Sequence, residues 1–240
     1  MLSPKANQIR EMFSAIAYRY DFLNHLLSLN IDQSWRRKTI TFLKDTLSES
    51  PALCLDLCCG TGDLSLELTR RGSAQVISSD FSHSMLQLGL EKIRKQGLAT
   101  RIWIAEADAL NLPFRGGTFD ALSIAFGLRN LESPAHGLSE MHRVLKPGGK
   151  LVVLEFSKPT NALFNSLFQF YFFKVLPRIG ALISRNAYAY SYLPDSVNQF
   201  PDQKQLSDIM MNSGFENVNY LNLSGGIAAI HYGEKRKGEG

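Results

Sequence analysis

The sequence predicts an α/β fold, a doubly wound, mostly parallel sheet of seven strands whose last strand runs antiparallel. Three observations lead there. Short apolar or alternating runs alternate with helical stretches from residue 52 to the end, the pattern of strands covered by helices on both faces. The first run breaks at once into Gly60-Thr61-Gly62 and then a helix. The last two runs are joined only by "SGG", room for a hairpin and not for a crossover, so the final strand is expected to reverse. In such a sheet ligands bind outside the carboxyl ends of the strands.

The elements follow in order. Residues 7–30 read as a helix, with Phe13, Ile16, Tyr20, Leu23 and Leu27 recurring at spacings of three and four. "ALCLDLCC" (52–59) is the first strand and "DLSLELTRR" (63–71) the helix after it. "QVISSD" (75–80) is a strand, and "SMLQLGLEKIRKQG" (84–97) a helix closed by Gly97. "RIWIAEAD" (101–108) and "FDALSIAFG" (119–127) are the third and fourth strands. The helix beginning at Pro134 is expected to stop before Pro147 and Gly148, and "KLVVLEF" (150–156) is the fifth strand. A helix over 202–214 and strands over 215–223 and 225–233 complete the chain.

Bulk properties narrow the function classes. At 240 residues, 45% hydrophobic and 20% charged, the chain suits one packed domain. A net charge of +4 gives no argument for nucleic acid, and "WRRK" (35–38) and the tail "EKRKGEG" read as solvated faces. The N-terminus lacks the apolar core of a secretory signal, and three clustered cysteines do not form a disulfide framework, so a reducing, cytoplasmic setting is expected. Residues 162–183 are apolar and aromatic, yet Lys174, Pro177 and Arg178 interrupt them. A spanning helix wants about 20 nearly unbroken apolar residues. A lid or core helix is the simpler reading.

Cys54, Cys58 and Cys59 invite a metal or redox reading. In a strand, Cys54 and Cys58 lie on one face roughly 13 Å apart, too far to share an ion, and Cys59 points away. No C-x-x-C spacing is present. The cysteines are expected to be small apolar strand residues, with no metal. The chemistry instead gathers at "DLCCGTGD". Asp56 sits near the end of the first strand, and Gly60 and Gly62 let the backbone approach a ligand. Ser65 stands where a dinucleotide fingerprint needs its third glycine, which weakens a hydride-transfer reading. Asp80 closes the second strand, placed for ribose hydroxyls, and Asp108 the third, placed for an adenine amino group. Each alone is an ordinary turn acid. Together they suggest an adenosine pocket without a phosphate cradle, hence S-adenosylmethionine.

Longer stretches carry a resemblance. "FSAIAYRYDFLNHLLS" (13–28), "DLCCGTGD" (56–63), "TFDALSIAFGLRNL" (118–131), "RVLKPGGKLVVLEFSKP" (143–159), "LPRIGALI" (176–183), "YLPDSV" with "FPDQ" (192–203) and "NLSGGIAAIH" (222–231) resemble the ubiquinone/menaquinone biosynthesis C-methyltransferase family over nearly the whole chain. The glycine turn and "LKPGG" are common to many methyltransferases; "AFGLRN" and "LEFSKP" are more particular. Departures are Asn186 where an acid is common, Cys58 and Cys59 where Gly or Ala is common, and Ala125 where some members place a serine against the cofactor.

The resemblance implies a class I S-adenosylmethionine-dependent methyltransferase fold in a single domain, with a helical cap over about 1–48 and an apolar lid over about 160–195. It implies methylation of a ring carbon of a prenylated hydroquinone, naphthoquinol or benzoquinol. The expected cofactor residues are Asp56, Gly60, Thr61, Gly62, Asp80, Asp108 and Ala109, and the expected catalytic residues Arg129, Asn130 and Tyr20. Arg129 would stabilise the phenolate, Asn130 would bond a ring oxygen, and Tyr20 would close the site. A membrane surface becomes an expected partner, and a homodimer stays open. Competing readings are a soluble-acceptor methyltransferase, disfavoured by "FQFYFF", a nucleotide-dependent oxidoreductase, disfavoured by Ser65, and a cofactor-binding protein without catalysis.

Overall fold

The structure is a computed structural model that describes residues 3–28, 30–48, 52–70, 72–160 and 187–238, with 166, 169 and 171 singly. Helices α1 (Pro4–Leu27), α2 (Ile31–Ile40) and α3 (Lys44–Ser48) precede the sheet. Then come β1 (Leu53–Leu57), α4 (Asp63–Arg70), β2 (Gln75–Asp80), α5 (His83–Lys95), β3 (Ile102–Glu106), β4 (Phe119–Ala125), α6 (Pro134–Val144) and β5 (Leu145–Phe156). Helices α7 (Ala187–Gln199) and α8 (Gln203–Asn212) lead into β6 (Phe215–Leu223) and β7 (Ala228–Lys235).

The strands form one seven-stranded sheet in the order β3-β2-β1-β4-β5-β7-β6. Strands β1 to β5 pair in parallel, and β7 is antiparallel to both β5 and β6, which makes it the reversed strand the hairpin demanded. The central strands are buried on both faces, so they read as unbroken apolar runs. Leu55, Leu57, Leu122, Ile124, Leu151 and Val153 are fully buried on them, and each such side chain contributes about 1.5–3 kcal/mol of apolar burial.

Several boundaries differ from expectation by a few residues, and β3 stops at Glu106, which leaves Asp108 in the turn beyond it; two differences change an element's character. Strand β1 ends at Leu57, because Cys58 takes φ 53 and starts the turn. Cys54 is therefore the one strand cysteine, while Cys58 and Cys59 belong to the site loop. Strand β5 begins at Leu145, before Pro147: Leu145 pairs with Phe119, then the register jumps to Lys150 opposite Ala121. The residues between bulge out around Gly148 at φ +77, so the helix ends at Val144 and "LKPGG" is strand with a bulge. The apolar segment 162–183 lies almost wholly outside the described residues. No helix among the described residues is long and apolar enough to cross a membrane.

Candidate functional site

The switch from β1 to its neighbours places the site. Strand β1 lies between β2 and β4, so the chain leaves its carboxyl end toward α4 with β2 and β4 ending on either side. Asp56 sits opposite Ser78 of β2 and Ser123 of β4. It does not reach the ligand space. Its carboxylate accepts from Ser65 and, at 2.9 Å, from Ser123, and Ser78 bonds Ser65 in turn. Burial raises its pKa to about 6, opposed by those two hydroxyls. Ser65 thus has a positive role: its hydroxyl supplies the donor that a third glycine lacks.

Above this buried cluster lies a cavity of about 310 Å³. Gly60, Asp80, Asp108 and Ala109 line one part of it, and Tyr20 and Asn130 another. These six expected site residues are brought together. Asp80 accepts from the Gly60 N–H at 2.9 Å and the Ser82 N–H at 2.8 Å. Burial raises its pKa to about 6, opposed by the backbone donors of Ser82, Gly60 and Phe81. Asp108 accepts from the Leu110 N–H at 2.9 Å. Gly60 has φ +56, and a Cβ there would meet only Tyr20 Cε1 at 3.8 Å, so the turn keeps open space toward the cavity. A carboxylate buried at this depth with room beside it suits a ligand bearing hydroxyl donors, so the residues fit the ribose of S-adenosylmethionine.

Four expected residues are placed elsewhere. Asp56 and Gly62 are not on the cavity wall. The Thr61 hydroxyl donates to Asp21 at 2.5 Å and accepts from Lys92 Nζ at 3.1 Å, so it serves the docking of α1. Arg129, expected to stabilise the phenolate, is also off the wall. Its Nη1 donates to Glu155 Oε1 at 2.7 Å and to the Phe126 carbonyl, and its guanidinium lies 5.3 Å from the Phe156 ring centroid. The side chains are 6% and 1% exposed, a buried pair whose charges cancel. Arg129 therefore braces the turn after β4 from below, where Phe126 takes an unfavourable φ of 59. Glu155 was missed; one acid inside "VVLEF" was the available signal.

The remaining walls are mostly apolar, with Ser3 and Glu132 as polar members. Phe13, Phe81, Met85 and Phe126 contribute, and Cys58 lines the cavity as well. Burial, followed by the charge of Asp80, pushes both the Cys58 and Cys59 thiols well above their ordinary range, so they are protonated thiols rather than nucleophiles. A Cβ at Gly127 would sit 2.4 Å from Cys58 Cβ, so the two loops touch because residue 127 has no side chain. Burial raises the Tyr20 phenol, with Arg129 and Arg36 opposing. Among the described residues no group of three His, Cys, Asp or Glu side chains is placed to hold a metal.

A sequence model of the ubiE/COQ5 methyltransferase family matches residues 1–235. A ubiquinone/menaquinone biosynthesis C-methyltransferase of Geotalea uraniireducens is 46% identical over 236 residues, 98% of this chain and 99% of that one. A demethylmenaquinone methyltransferase of Deinococcus radiodurans is 46% identical over 233 residues, 97% of this chain and 94% of the relative. Among solved structures, a SAM-dependent methyltransferase from Thermotoga maritima superimposes with a TM-score of 0.66 at 17% identity, covering 94% of this chain and 99% of its own. That likeness shows the fold; the sequence matches show the family. With the doubly wound sheet, the acid-lined cavity at its strand ends and a match over nearly every residue, the chain belongs to the ubiE/COQ5 methyltransferase family.

Proposed function

We propose that this protein methylates a ring carbon of a prenylated hydroquinone, converting a demethylmenaquinol-type substrate to its methylated form, with S-adenosylmethionine as donor. One observation carries the reading beyond the family: a single cavity joins Asp80 and Asp108 to Tyr20 and Asn130 under walls of Phe13 and Phe126. The first pair suits the donor's ribose and adenine. The second pair, between aromatic rings, suits a flat ring bearing oxygens. When bound, S-adenosylmethionine supplies an electrophilic methyl group on a sulfonium.

A ring carbon is a poor nucleophile until an adjacent hydroxyl loses its proton, and a phenolic hydroxyl ordinarily does so near pH 10. An N–H donor held against the ring oxygen favours the phenolate and is strongest as charge develops. Asn130 has that donor. Arg129, neutralised by Glu155, is assigned to positioning: through the Phe126 carbonyl it holds the turn that carries Asn130. Tyr20 closes the cavity from α1, and its raised pKa keeps it a neutral donor rather than a base. Orientation of the ring against the donor supplies much of the rate. A cytoplasmic protein working at the membrane face, where a prenylated quinol resides, is part of the same reading, as are the helical cap and the lid.

Mass spectrometry of quinones from cells lacking the protein tests this directly. Accumulation of a quinone one methyl group lighter, reversed by restoring the gene, is expected. An unchanged quinone profile would remove the quinol as substrate.

A further inference from the structure

Asn130 is held by a residue far away in the chain. Its Nδ2 donates to the Phe126 carbonyl at 3.3 Å, and its Oδ1 accepts from the Tyr192 hydroxyl at 3.1 Å. The two bonds are consistent in one orientation of the amide. A backbone carbonyl only accepts, so Phe126 requires the NH2 group, and Oδ1 is left for the tyrosine O–H. Nδ2 carries two hydrogens, so this arrangement leaves one N–H of Asn130 for whatever fills the cavity that the residue lines. Without the Tyr192 hydroxyl, Oδ1 loses the bond that holds it back among the described residues, and the amide can turn its acceptor toward the ligand. An acceptor there would repel a phenolate oxygen.

Tyr192 is itself well seated. It lies on α7, half-buried against the cluster of Met12, Ile16 and Val197, so its ring is held by α1 and α7 together. We propose that Tyr192 is a positioning residue for methyl transfer: its hydroxyl fixes the Asn130 amide so that an N–H, not a carbonyl, faces the acceptor's ring oxygen. The proposal rests on the reading of Asn130 given above. It also makes donor orientation depend on α7, the helix the chain enters directly after its aromatic segment.

The test is a double-mutant cycle on the purified full chain with Tyr192→Phe and Asn130→Ala, using a short-tailed demethylated quinol. Tyr192→Phe keeps the ring and removes only the hydroxyl. Its kcat is expected to fall about tenfold, with the donor's Kd, measured by calorimetry, unchanged, because the contact acts mainly in the transition state. The pH at which kcat rises should move upward, since the phenolate is less favoured; a loss of packing alone would not move it. In the Asn130→Ala background the same substitution should have no further effect on kcat. A wild-type kcat for Tyr192→Phe, or an equal loss in both backgrounds, overturns the proposal while leaving Asn130 in place. A wild-type kcat for Asn130→Ala instead overturns the reading of Asn130, and the proposal with it.

Discussion

Asp80 joins the loop and the cavity in one side chain. It fastens Gly60 and Ser82 through their N–H groups and still borders the ligand space. Its pKa of about 6 gives a signed prediction. A protonated carboxyl cannot accept from both ribose hydroxyls, so donor affinity should be flat above about pH 7 and weaken about tenfold per unit as pH falls below about 6. Asp80→Asn should bind the donor at least tenfold more weakly at pH 8, the effect of losing a charge-assisted hydrogen bond of about 1.5–3 kcal/mol, and should lose the inflection. Calorimetry across pH 5–8 checks both, and unchanged affinity would contradict the assignment. Glu155 gives a second. Glu155→Gln leaves the Arg129 cation buried without a countercharge, which costs about 3–5 kcal/mol. A large drop in the urea midpoint is expected, whereas a stability equal to wild type would show that the pair is not a brace. At this scale the places of Asp80 and Asp108 on the cavity wall were legible because Asp80 ends β2 and Asp108 follows the end of β3 by two residues, both at the carboxyl ends of the strands. The true place of Arg129 was not, because a buried ion pair depends on a partner 26 residues away that no local pattern announces.

Among the elements, α1 needs the most explanation. It carries Phe13 and Tyr20 into the cavity, and its attachment to the core is polar as well as apolar. Lys92 of α5 donates to Asp21 at 2.6 Å, to Asp63 at 2.7 Å and to Thr61 at 3.1 Å, tying α1 to the glycine turn next to Tyr20 on the cavity wall. Lys92→Met would leave two carboxylates facing one another around Thr61. Because the group is about one-quarter exposed, the expected loss is about 1–2 kcal/mol rather than the full cost of a buried pair. Trypsin should cut faster after Arg10 and Arg19, with donor binding weakened; an unchanged cleavage rate would show that apolar packing alone holds α1. The helix itself could be read from its spacing of three and four. The latch could not, since Asp21, Asp63 and Lys92 meet only once α1 folds back over α5.

For the whole molecule, the alternation of strands with helices and the short "SGG" link made the doubly wound sheet and its reversed last strand legible in the sequence. The ends of elements were less so: Cys58 looks like a strand residue, yet its backbone turns left-handed to open the loop. The cavity wall was legible at Asp80, Asp108, Ala109, Gly60, Tyr20 and Asn130, but not at Asp56, which lies buried beneath it, nor where residues act through others, as Ser65, Glu155 and Tyr192 do. The central claim is that this cavity brings a sulfonium methyl to a ring carbon of a quinol. Purified protein given S-adenosylmethionine with a deuterated methyl group and a reduced, short-tailed demethylmenaquinol tests it most directly. The account predicts a product carrying the intact labelled methyl on the formerly unsubstituted ring carbon, identified by mass and by loss of that ring proton in NMR. Label found on an oxygen, or donor bound with no label transferred, would contradict it.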